Sequence, residues 1–130
     1  MRKKQTTTIL IALIIVTLSA NMVFALTNSV SNSNYRLTGA SNLNIGSSTW
    51  TASSSSSTTK NVDYIFLETA IYVDGIVLHE EDKSSTNTNL ISYNSQTWNK
   101  AYFTTFENMS YHSSYDTDYG DLNVISNVTY

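Results

Sequence analysis

The sequence predicts an all-β protein, a single antiparallel β-sandwich of immunoglobulin-like or jelly-roll path behind an N-terminal signal peptide. Beyond residue 25 no apolar period of 3.6 recurs, and β-branched residues and Tyr dominate. Several segments alternate apolar and polar side chains, the period-two signature of a half-buried strand. Asp74-Gly75 stands between two apolar runs, and both central positions of a two-residue type I′ turn need the positive φ that Asp and Gly tolerate.

Residues 1–25 have the layout of an export signal. Arg2, Lys3 and Lys4 precede the apolar run Ile9 to Leu18, and Val23 and Ala25 occupy the two positions a signal peptidase reads, which sets the cut between Ala25 and Leu26. The apolar stretch falls short of the ~20 residues a membrane span needs, and Thr17, Ser19 and Asn21 interrupt it. The expected product is secreted, extracellular or associated with the cell surface, with no membrane span once the signal is removed.

Residues 26–34 read as a loose N-terminal arm and residues 35–130 as the sandwich domain. Two strands are expected within Tyr35 to Ile45 and Thr49 to Thr59, where Leu37, Leu43, Ile45 and Trp50 punctuate a Ser/Thr/Asn-rich background suited to a solvent-facing strand. A turn at Asp74-Gly75 pairs Val73 with Ile76, Ile71 with Leu78, Thr69 with Glu80 and Glu68 with Glu81. Alternation then gives a core face of Ile65, Leu67, Thr69, Ile71, Val73, Ile76 and Leu78. The other face is mixed and carries Tyr64, Phe66, Glu68, Ala70, Tyr72, Val77, His79 and Glu81. Leu90 to Asn94, Ala101 to Phe106 and Met109 to Ser114 read as further strands. In a final strand over residues 122–130, Leu122, Val124, Ser126, Val128 and Tyr130 share a face.

From Leu26 onward four basic residues (Arg36, Lys60, Lys83, Lys100) stand against ten acidic ones, a net charge of −6. That sign argues against nucleic acid, whose phosphates require clustered Lys and Arg, and against attraction to anionic lipid. With no cysteine in the chain, neither disulfides nor a lipidated Cys are available, and the fold has to stand on its core. No proline is present to protect sheet edges.

Two acidic groups are candidate sites. Asp116, Asp118 and Asp121 surround Gly120, a spacing with which carboxylates can wrap Ca²⁺, although no acid follows at the position of the bidentate Glu in an EF-hand loop; a polar turn explains the same letters. Glu68, Glu81 and His79 can ligate a divalent cation or simply point into water. No cofactor is otherwise implied. There is no G-x-S-x-G elbow, no H-E-x-x-H and no Cys, so no catalytic residue is assigned and the chain is read as non-enzymatic. Nine Tyr, with Trp50 and Trp98, suit either core anchoring or the recognition of a protein, glycan or cell-wall partner.

The segment "DYIFLETAIYVDGIVLHEED", followed by a Ser/Thr/Asn-rich stretch and Tyr111-His112, resembles a loose group of small Cys-free secreted β-proteins of Gram-positive bacteria with no assigned activity. The signal peptide together with Tyr111-His112-Ser113-Ser114 is similar, more faintly, to lactococcin-type bacteriocins. The expectation is a secreted protein acting by binding or self-association, the alternative a bacteriocin-like antagonist.

Overall fold

A computed structural model describes residues 22–130; residues 1–21, most of the expected signal peptide, lie outside them. The elements are β1 (Met22–Ser31), β2 (Arg36–Ile45), β3 (Thr49–Val73), β4 (Ile76–Asn94), β5 (Trp98–Asn99), β6 (Phe106–Asp116) and β7 (Gly120–Thr129). All pairings are antiparallel, in one sheet of order β1-β2-β3-β6-β7, with β4 and β5 also on β3.

The length of β3 organises this sheet. Its first half pairs with β2 and its second half with β6, while β4 follows it along most of its length. The β3–β4 ladder slips between Ser57 and Val62, and β3 folds back there, which brings Ser54 Oγ within 3.1 Å of Thr69 Oγ1. One half of the sheet thus faces the other across a common interior. On the far side β1 meets β7, where Asn28 Nδ2 donates to the Ile125 carbonyl at 2.7 Å, so the folded sheet is nearly a barrel. β1-β2-β3 and β6-β7 follow as hairpins, whereas the chain crosses from β4 and β5 to the other side of β3 before β6 begins.

The Asp74-Gly75 turn forms as the sequence predicts, with φ of 49° and 79°. The strand after it departs from the expected register. Val73 opposes Ile76 and Tyr72 opposes Val77, but Ile71 opposes His79, so Leu78 is an extra residue in a bulge. From there Glu68 faces Asp82 rather than Glu81, and Thr69 faces Glu81 rather than Glu80. Ile65, Leu67, Thr69, Ile71 and Val73 are buried as expected, whereas Ile76 at the tip and Leu78 in the bulge are 74% and 43% exposed. The bulge also moves His79 and Glu81 to the core-side row and turns Glu80 and Asp82 outward.

Three further expectations are corrected. Residues 26–31 are no loose arm: they belong to β1, every residue of which is paired with β2. The Ser-rich strand and the first strand of the hairpin are one continuous strand of 25 residues. Residues 101–105 form a loop instead of a strand, because they are drawn onto the hairpin turn. There Asp74 Oδ1 accepts from the backbone N–H and the hydroxyl of both Thr104 and Thr105, at 2.8–3.1 Å.

The interior is layered. At one end Leu43, Ile45, Trp50, Leu67, Ile71 and Phe106 form an apolar cluster, with the Trp98 ring tilted against Trp50 at 4.7 Å and Phe24 resting 4.9 Å from Tyr130. At the other end Tyr35, Leu37, Val62, Ile65 and Leu122 form a second cluster. Between them the buried side chains are polar: Ser41, Ser54, Ser56, Thr69, Asn108, Ser110, His112 and Ser126. Such groups are tolerated in a core when they are hydrogen-bonded, and here they form a continuous string. Ser56 Oγ donates to the Phe66 carbonyl and so accepts from His112 Nδ1 (2.8 Å); His112 Nε2 meets Ser126 Oγ (2.7 Å), and Ser126 meets Ser41 (2.6 Å). Asn108 Nδ2 donates to the carbonyls of Asn42 and Ser53, and its Oδ1 accepts from Thr69. Gly39 is required opposite the imidazole, since a Cβ there would lie 2.1 Å from His112 Cδ2.

Candidate binding surface

The second half of β3, with β6, β7 and the first half of β4, presents an outward face. Alternation places Tyr64, Phe66, Glu68, Ala70 and Tyr72 of β3 on it, beside Tyr115, Ser113, Tyr111, Met109 and Glu107 of β6. Ile125 of β7 flanks Tyr111, and Asp82 and Glu80 of β4 flank Glu68 and Ala70. Tyr64, Met109, Tyr111, Tyr115 and Ile125 are exposed, although each stands on a strand paired on both sides or closed against β1. Hydrogen bonding fixes several of these groups: Tyr111 Oη donates to Asn123 Oδ1 at 2.8 Å, and Asn127 Nδ2 to Glu107 Oε1 at 2.8 Å. The Phe66 ring meets Tyr111 edge-on at 6.4 Å.

At the centre of this face lies a shallow groove of about 130 Å³, lined by Glu68, Ala70, Met109, Ser110, Tyr111 and Ile125. A second depression, bordered by Phe66, Glu80, Glu81 and Asp82, also has Glu68 on its rim. Glu68 and Asp82 stand directly across a ladder, where like charges repel. The four basic residues of the described chain lie elsewhere. Lys60 sits 3.5 Å over the Tyr119 ring, Lys83 donates to the Ser92 carbonyl, Lys100 lies 5.3 Å over Tyr130, and Arg36 is at the start of β2.

The residues singled out in the sequence separate in the fold. Asp116, Asp118 and Asp121 share the β6–β7 turn but do not converge: Asp116 Oδ1 accepts the Asp118 N–H at 3.0 Å as a turn brace. Among the described residues no three His, Cys, Asp or Glu side chains are grouped to hold a metal ion, so the Ca²⁺ reading finds no assembled ligand set. His79 pairs with Glu81 at 3.4 Å and stacks on Tyr93. The run His79 to Lys83 lies on β4, which is bordered by β3 alone, so those charges guard an open sheet edge, a role that proline does not fill here. Ala25 and Leu26 lie in mid-β1, paired with Asn42 and Ser41.

His112 between two serine hydroxyls has the pairing of a base with a nucleophile. Its ring is wholly buried, as are the Ser56 and Ser126 hydroxyls, so no substrate reaches it. Burial pushes the imidazole down to about 4, and it is neutral at physiological pH. Comparison with family models, curated proteins and solved structures found no match for this chain.

Proposed function

We propose that the protein is an exported, non-enzymatic β-sandwich that works by binding a partner at the cell envelope or in the extracellular space. The outward face of β3, β6 and β7 supports this reading: aromatic and aliphatic side chains stand exposed on a rigid sheet among carboxylates, the composition of a recognition surface with a polar rim. The leader-like residues 1–25 support export. Self-pairing through β4 is disfavoured by its charge run and its bulge. The test is retention of the purified protein on isolated cell walls, glycan panels and itself, compared with a Tyr111→Ser, Ile125→Ser variant. Retention that disappears in the variant supports the reading, and retention unchanged in it refutes it.

A second reading, a secreted bacteriocin-like antagonist, draws on one observation. Ile76, Val77, Leu78, Tyr102 and Phe103 are all exposed near a turn clamped to its neighbouring loop by Asp74, so apolar side chains are held out at one end of the molecule. Inhibition of growth by the purified protein, lost on replacing Ile76 and Leu78 by Ser, would support it.

A further inference from the structure

We infer that the partner of the outward face is a protein segment bearing lysine or arginine, with one such side chain seated in the central groove, its stem against Ala70, Met109 and Ile125 and its head at Glu68. This inference rests on the binding reading above and names the chemistry of the partner.

The lining of the groove is mainly apolar and includes the exposed Glu68 carboxylate, a combination that complements an aliphatic stem ending in a cation. An amino sugar has the charge but, being a ring covered with hydroxyls, would leave its polar groups unpaired on those walls. Tyr111 beside the groove offers a ring face to the same cation.

Glu68, Asp82, Glu80 and Glu107 lie on this face by register, and none of the four basic residues of residues 22–130 does. Glu68 and Asp82 repel each other across the ladder, so a cation placed between the two depressions relieves a cost already built into the sheet. A second copy is disfavoured as the occupant, because residues 26–130 carry a net charge of −6 and three of their four basic side chains, Lys60, Lys83 and Lys100, lie over tyrosine rings of their own chain, which leaves Arg36 alone. The exposed Glu68 side chain loses little water before binding. Association through this face therefore gains rate and specificity from charge, and affinity from the groove.

The experiment titrates the protein with blocked hexalysine and, separately, with a chitosan hexamer and a neutral glucan hexamer, and follows the Met109 and Ile125 methyl resonances by NMR at low and high salt. Hexalysine is expected to shift both methyls and to bind more weakly at high salt. Glu68→Gln should weaken it about fivefold and Met109→Ala several-fold, whereas Asp118→Asn, an equal change of charge in the β6–β7 turn, should stay within about twofold. Equal losses for Glu68→Gln and Asp118→Asn would show mere attraction to net charge and overturn the inference, as would tighter binding of the chitosan hexamer. If hexalysine fails to bind while Tyr111→Ser, Ile125→Ser still abolishes retention on envelope material, the binding face stands and its cationic partner falls. If neither responds, both fall.

Discussion

Lowering the pH from neutral to 4 should weaken the fold through one buried group. In the folded chain burial holds the His112 imidazole down to about 4, from an ordinary 6.5. Above 6.5 neither folded nor unfolded chain is protonated there, and the stability is complete. As the pH falls through the window from 6.5 to about 4, the unfolded chain takes up a proton that the folded chain refuses, so stability declines. The depression corresponds to about 3 kcal/mol at the bottom of the window, a large fraction of the ~5–15 kcal/mol that holds a small domain together. The sign follows from geometry as well. Ser56 donates to the Phe66 carbonyl, so Nδ1 carries the one proton and Nε2 must accept from Ser126. A second proton would turn the Ser126 hydroxyl from donor to acceptor and place a cation in the interior with only serine hydroxyls beside its ring nitrogens. Urea denaturation from pH 7 to pH 4 measures the effect, with His112→Gln as the comparison, since a glutamine amide can donate and accept at the same places but does not titrate. The decline should be largely absent in His112→Gln and retained in His79→Gln. An undiminished decline in His112→Gln would refute the reasoning.

Gly39→Ala should cost about 3 kcal/mol or more in urea denaturation, because its methyl enters the imidazole and the packed string has nowhere to yield. Asp74→Asn keeps a residue that tolerates the left-handed turn but loses the charged acceptor, whose pKa the Thr105 and Thr104 amides hold below the usual carboxylate value; amide exchange at Thr104 and Thr105 should accelerate and proteolysis should concentrate in residues 101–105. A chain beginning at Leu26 lacks four β1–β2 pairs and the Phe24–Tyr130 contact, so it should unfold about 2 kcal/mol more easily than one beginning at Met22. Equal urea midpoints for the two would show that those residues contribute nothing.

What could be read from the sequence was what is local. The turn at Asp74-Gly75 is fixed by the conformational tolerance of two residues, and the inward row of β7 by simple alternation. The bulge at Leu78 is not local: it depends on how β4 meets an opposing half of the sheet. Met22 to Ala25 read as the end of an export signal, and their strand pairing appears only when β2 lies alongside. The polar interior was hidden for a different reason. Within Ser53 to Ser57 both rows of β3 carry the same side chain, so the run does not say which row faces inward, and a hydroxyl at an inward position is acceptable only if distant residues, here Asn108 and His112, supply its partners. For the binding face, the β3 row of Tyr64, Phe66, Glu68 and Ala70 was visible as a mixed surface. Met109, Tyr111 and Ile125, which complete the groove, come from strands whose register against β3 no short-range signal specifies.

The polar interior has a consequence for how the chain finds its place. Ser53 to Ser57 are five identical side chains, and their own contacts could not tell one two-residue slide of that run from the next. The ends of the run can: a slide by two either way puts Ala52 before Asn108 or Thr58 before His112 and pulls Trp50 away from Phe106. A uniform stretch is thus held in place by the unlike residues on either side of it.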